Sequence, residues 1–179
     1  MVNTYELRFT ILQQEILRLL FVKAGTQLNQ RQIANLIGVS QPAVVKAMVG
    51  LDMTKVSQDK QTKRWSIELD RENRRAMQLK RADNLRQIYE SDLADCLERE
   101  FAGATVILFG SYSRGEDTVS SDIDIAVIGR KEKRYDFAQF EKALERRINI
   151  NFYDSFAGVH KSLRENLFNG IVIAGGVEI

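Results

Sequence analysis

Gly110-Ser111 and Asp122-Ile123-Asp124 are the residues of this 179-residue chain best suited to chemistry, and ten residues separate the two groups. On a strand, side chains two apart share a face, so the carboxylates of Asp122 and Asp124 would project together while Ile123 and Ile125 turn to a core. Two like charges held about 6–7 Å apart at the rim of an apolar sheet repel each other and lose hydration. A divalent cation resolves that conflict, and oxygen-only donors suit Mg²⁺ or Mn²⁺. Gly110 lets backbone approach a phosphate closely, and the amide and hydroxyl of Ser111 can donate to phosphate oxygens near a helix start. Arg114, three residues on, can clamp a further phosphate oxygen. Together these residues make a cradle for a metal and a triphosphate.

The elements that must position them follow from the apolar pattern. Thr105 to Phe109 is a short apolar run bounded by glycines, hence a strand ending at Gly110. Asp122 to Ile128 alternates and then turns apolar, and Ile148 to Phe152 alternates with period two, which predicts two further strands. A fourth short strand is expected at Ile171-Val172-Ile173. Helical spacing recurs over Asp83 to Phe101, Tyr135 to Arg147 and His160 to Asn169. The order predicts an α+β domain with a small mixed sheet flanked by helices.

The first 70 residues read differently. Thr10 and Gln13 make a capping box before Ile11, Leu12, Ile16, Leu19 and Leu20. Asn29 caps a second short helix that Gly38 closes, and Ser40 caps a third with Pro42 in its first turn. Val44, Ala47, Met48 and Leu51 form the expected buried stripe of that third helix. Met53 to Gln58 and Arg64 to Leu69 read as strands around the polar turn 59–63. Three helices and a hairpin form a winged helix-turn-helix pattern.

The expected organisation is therefore a winged helix-turn-helix domain over 1–70, a charged, solvated helical connector over 71–82 and a second domain over 83–179. Residues 1–80 carry 13 Lys/Arg against 7 Asp/Glu, whereas residues 81–179 carry 13 against 17. Such asymmetry suits two modules with different partners, the basic one facing phosphates. One cysteine, Cys96, excludes an internal disulfide framework, and with one histidine, His160, it excludes a His/Cys zinc site. Cys96 is expected to be buried and inert, His160 to be a solvated or capping residue, and Trp65 to lie in a core. No apolar run reaches the ~20 residues of a membrane helix, and charges in the first twenty residues leave no signal-peptide core. The expected location is the cytoplasm.

Phe109-Gly110-Ser111 through Glu116, followed by Ser121-Asp122-Ile123-Asp124-Ile125, resembles the signature of the DNA polymerase beta superfamily of nucleotidyltransferases. It is similar above all to the minimal nucleotidyltransferase proteins of prokaryotes, and the resemblance covers about residues 83 to 179. By that resemblance Gly110 and Ser111 bind a nucleoside triphosphate, ATP being the expected one, and Asp122 and Asp124 hold Mg²⁺ and serve catalysis. A nucleoside monophosphate then passes to an acceptor hydroxyl. The sequence departs from the family at Asn149, which stands where a third carboxylate is expected. The alternative is a regulator or antitoxin-like protein that binds nucleotide, or a helical partner protein, with little or no turnover.

The helix-turn-helix, with Ala34, Gly38, Val39 and Ser40 across its turn, resembles the winged-helix regulators of bacteria and archaea. That resemblance implies duplex DNA as partner. Gln41, Val45, Lys46 and Val49 would face outward from the third helix, with Gln41 reading adenine and Lys46 reaching phosphate or guanine. Lys60, Lys63 and Arg64 in the wing suit phosphates. A protein-docking module and a homodimer are the other roles open to this domain.

Overall fold

The computed structural model describes residues 9–58 and 64–177, which form two compact units, 1–76 and 77–179. In the first, α1 (Ile11–Val22), α2 (Gln30–Ile37) and α3 (Gln41–Met48) precede an antiparallel pair, β1 (Thr54–Gln58) and β2 (Trp65–Leu69). The capping box of α1 is complete: Gln13 N donates to Thr10 Oγ1 at 3.3 Å, and Thr10 N to Gln13 Oε1 at 2.9 Å. Asn29 and Gln32 repeat the arrangement at the start of α2. Gly38, at φ +79°, ends α2 in the left-handed region.

The core of this unit gathers Ile16, Leu17, Leu20, Phe21, Ile33, Val44, Leu51, Met53, Ile67 and Leu69. Two expectations change here. Leu17 and Phe21 turn inward, whereas Ile11, at the first position of α1, is 75% exposed. Spacing alone does not orient a helix whose apolar residues outnumber one face. Trp65 is 45% exposed rather than core, because it closes the outer end of β2 opposite Gln58.

In the second unit the sheet runs β5 (Ile148–Tyr153), β4 (Ile123–Ile128), β3 (Thr105–Phe109), β6 (Ile171–Ala174). β3 is antiparallel to both neighbours and β4 is parallel to β5, so the sheet is mixed. One face packs Val106, Leu108, Ile123, Ile125 and Val127 on Leu93, Leu97 and Phe101 of the helical layer, with Phe140 and Leu144. The other face carries Ile107, Phe109, Ala126 and Ile128 under Val159 and Leu167. Burial of both faces explains why the two central strands, β3 and β4, are nearly continuous apolar runs, whereas the edge strand β5 alternates.

The helices differ in extent from the expectation. The stretch 83–101 is divided between α4 (Arg74–Glu90) and α5 (Leu93–Glu100), with Asp92 between them at φ +61°. α7 is shorter than expected, Ala138–Leu144, and Glu145 ends it at φ +53°. α8 covers Lys161–Phe168. Of the residues expected to make a solvated connector, 74–82 are helical, but Ala76 and Lys80 among them are fully buried. Charge density marked that stretch as solvated, and a buried acid elsewhere in the chain, Asp117, reverses the reading for Lys80.

Candidate functional site

The strand directions bring three sequence segments to one end of the sheet. β3 ends where β4 and β5 begin, with Phe109 opposite Asp124 and Asp124 in register with Asn149. Gly110 follows at φ +75° and starts the short helix α6 (Gly110–Arg114). A Cβ at Gly110 would stand 2.6 Å from Asp124 Oδ2, so the carboxylate lies against bare backbone. The chain closes that approach with glycine because any side chain would occupy it. The first N–H groups of α6 have no carbonyl one turn back to bond, and Ser111 is half-buried beside them. Ser113 Oγ donates to Gly110 O at 2.9 Å, which holds the turn.

Ile123 and Ile125 are buried in the core, as their parity requires, and Asp122 and Asp124 occupy the opposite parity, both half-buried. Burial pushes the Asp124 carboxyl above its usual range; the nearby Asn149 amide opposes that rise and the Asp122 charge adds to it. Asn149 Nδ2 donates to Asp122 Oδ2 at 3.0 Å. Asn149 thus sits in register beside the acid pair. Among the described residues no third His, Cys, Asp or Glu joins the two to make a cluster of three. Asp122 and Asp124 are the residues here that could hold a cation, with four carboxylate oxygens between them.

Arg114 is less available than its spacing suggested. It ends α6 with its Nε donating to Glu116 Oε2 at 2.7 Å, so a phosphate would have to compete with that carboxylate. The loop that follows contains residues the sequence reading missed. Asp117 is buried, and it accepts from Lys80 Nζ and, at 2.7 Å, from Asn84 Nδ2. Arg146 Nη2 faces its other oxygen at 3.5 Å. Asn84 also donates to Tyr112 O at 2.9 Å. Burial holds the Lys80 ammonium below its ordinary range, against the attraction of Asp117. Gly115, at φ +76°, lets the same loop pass the backbone of α4, where a Cβ would meet Met77 O at 2.6 Å.

This buried network ties together three supports of the site. Asp117 lies between the Gly-Ser turn and the acid pair, Asn84 holds α6, and Arg146 stands just before β5 and Asn149. No sequence signal separated Lys80 from its charged neighbours, or Asp117 from the exposed polar residues around it.

The remaining assignments fall in the first unit. Gln41, Val45 and Lys46 are exposed on α3, and Val49 follows its end at 75% exposure. Arg64 is exposed just before β2, whereas Lys60 and Lys63 lie outside the described residues. In the second unit His160 is exposed and shares a hydrogen bond between Nδ1 and Ser162 Oγ at 2.9 Å, and Cys96 is buried. Among the described residues no helix is long and apolar enough to cross a membrane.

Residues 90–172 match the family model described as nucleotidyltransferase domain, a stretch that contains Gly110, Ser111, Asp122, Asp124 and Asn149. The match supports the nucleotidyltransferase superfamily for this part of the chain, and nucleotidyl transfer as its general function. No curated protein and no solved structure gives a significant match.

Proposed function

We propose that the second unit transfers a nucleoside monophosphate from a nucleoside triphosphate, ATP being the expected donor, to an acceptor hydroxyl. The observation that carries this reading is the convergence of Gly110 on Asp124, with Asp122 at the same parity one step outward. Gly110 admits the triphosphate close to backbone, and Ser111 donates from its amide and hydroxyl to phosphate oxygens. Asp122 and Asp124 would hold Mg²⁺ or Mn²⁺, whose contribution there is to neutralise the triphosphate and the departing pyrophosphate. The acceptor oxygen bonds the α-phosphorus, the bond from that phosphorus to the bridging oxygen breaks, and pyrophosphate leaves. The hydroxyl proton must go to solvent or to an aspartate, because the Asn149 amide cannot accept it.

Asn149 favours a second reading of the same site: metal–nucleotide binding with little turnover, in a regulator or antitoxin-like protein that acts on a helical partner. Loss of a general base commonly costs about 10²–10⁴ in rate. Incubation with labelled ATP and Mg²⁺, with and without a candidate partner, distinguishes the two. Label on an acceptor supports transfer by the natural chain. No label from the natural chain, with label restored in Asn149→Asp, supports the second reading.

The first unit is proposed as a winged helix-turn-helix that binds duplex DNA, with α3 in the major groove and the β1–β2 hairpin on phosphates. The order of its elements and the exposure of Gln41, Lys46 and Arg64 support this. Gel shifts across a salt series test it, since phosphate binding weakens steeply as salt rises.

A further inference from the structure

α6 has five residues, and little within it fixes its place. Phe109 precedes it without a side-chain cap, and a helix this short is unstable in isolation. α4 supplies a hold from outside. At Gly115 the chain leaving α6 passes so close to α4 that a Cβ would stand 2.6 Å from Met77 O and 2.7 Å from Arg81 N. Three residues further along α4, Asn84 Nδ2 donates to Tyr112 O at 2.9 Å and to Asp117 Oδ1 at 2.7 Å. Asn84 Oδ1 accepts from Lys80 Nζ at 3.3 Å, and the whole residue is buried. Chemistry fixes which way this amide faces. Reversed, it would set its oxygen against a carbonyl and a carboxylate, and its NH₂ against an ammonium.

We propose that Asn84 is a positioning residue for the triphosphate, holding the Gly110-Ser111 turn in place from α4, an inference that rests on the reading of this unit as a nucleotidyltransferase. Tyr112 O, two residues past Gly110, also accepts from Gly115 N at 3.2 Å, so one carbonyl joins the end of α6 to α4. The same amide, through Asp117, ties down the loop that leads to Asp122 and Asp124. Phosphate donors already in place bind more tightly than donors that must be ordered on binding. Asn84 lies beneath the turn and does not face the phosphates, so its removal should weaken nucleotide binding and leave the transfer step little changed.

The test uses the full chain at pH 8, with ATP and Mg²⁺ as the probe and Asn84→Asp, Asn84→Ala and Ile88→Ala as variants. Asn84→Asp keeps the size and the acceptor for Lys80 but removes both N–H donors. Lys80 and Arg146 stand against one acid, Asp117, and Asp83 is already paired with Arg86. A second carboxylate there is compensated by charge, so the fold should hold. Ile88, one turn on in α4, is buried in the apolar core, and its truncation loosens packing without removing a bond to α6. Calorimetric affinity for ATP should fall by about 2- to 12-fold in both Asn84 variants, the worth of one hydrogen bond. It should be unchanged in Ile88→Ala, although the denaturant midpoint falls there. Hydrogen exchange over 110–115 should quicken in the Asn84 variants and not in Ile88→Ala. In the labelling assay the Asn84 variants should raise KM for ATP and leave kcat unchanged.

Natural affinity in the Asn84 variants, or an equal loss in Ile88→Ala, overturns the proposal and leaves the nucleotide reading standing. So does unchanged exchange over 110–115 in the Asn84 variants. Absence of Mg²⁺-dependent ATP binding by the natural chain overturns both.

Discussion

Asn149 reaches across from β5 to donate to Asp122 Oδ2 at 3.0 Å, and it lies in register with Asp124. One neutral amide therefore touches an acid pair that would otherwise be short of compensation. In place of a third carboxylate the chain has a neutral hydrogen-bond donor, which adds no negative charge beside the two aspartates.

Asn149→Asp should reverse that balance. Three acids would repel each other, so the variant should melt at a lower temperature without divalent cation and gain more from adding Mg²⁺ than the natural chain does. Where transfer is limited by a missing base, label transfer should rise by about 10²–10⁴. Thermal melts with and without Mg²⁺, run beside the labelling assay, check both effects. An equal Mg²⁺ response in the two proteins would remove Asn149 as the limiting residue.

Asp122→Ala together with Asp124→Ala should abolish Mg²⁺-dependent nucleotide binding by calorimetry and leave the circular dichroism spectrum unchanged. In the natural chain the same binding should weaken as pH falls. The ionised form of Asp124 is the one a cation needs, and burial raises its pKa from the ordinary 3.8, so the loss should begin at a higher pH than for an exposed aspartate. Affinity that is flat down to pH 4 would contradict this.

Gly110→Ala should disrupt the site more than its size suggests. The new methyl would stand 2.6 Å from Asp124 Oδ2, on a backbone at φ +75° that alanine adopts with strain. A cost of about 1–3 kcal/mol in stability is expected, with loss of nucleotide binding. Ser113→Ala, which removes only the bond to Gly110 O, should be milder, and urea melts of the two variants make the comparison.

Asp117→Ala should be among the most destabilising single changes in the second unit. It leaves Lys80 buried without its acid and takes an acceptor from Asn84 and Arg146, and breaking such a pair costs about 3–5 kcal/mol. Lys80→Met should cost less, because Asn84 and Arg146 still serve Asp117. Denaturant midpoints that rank Lys80→Met below Asp117→Ala would contradict this account.

DNA binding by the first unit should rest on backbone charge. Lys46, Lys60, Lys63 and Arg64 would neutralise four phosphates, a log–log salt slope of about −3.6 for each bound domain. Changing Lys63 and Arg64 together to alanine should make the slope shallower by about two and weaken all sequences alike. Fluorescence anisotropy on random duplexes over a salt series measures it.

Much of this was legible before any coordinates. The capping residues Thr10, Asn29 and Ser40 marked the helix starts because a side-chain oxygen and the amide three residues on bond within one turn, whatever packs outside. The parity of Asp122 and Asp124 followed from the two-residue period of a strand. The pairing of Gly-Ser with Asp-x-Asp was legible as a spacing. Helix lengths were less so: Asp92 and Glu145 interrupt helical patterns with left-handed backbone that their residue types do not announce.

What the sequence determined by itself is the set of local elements and the two groups of residues able to hold a cation and a phosphate, since both depend on interactions within a few residues. Only the tertiary structure decided which elements meet, and hence that Asn149 touches Asp122 and that Lys80 is buried on Asp117. Lys80 and Asp117 are separated by 37 positions. Their charge types allow a pair, but the choice between solvent and each other was made by the packing of α4 against the loop after α6, where a buried charge is stable only beside its opposite.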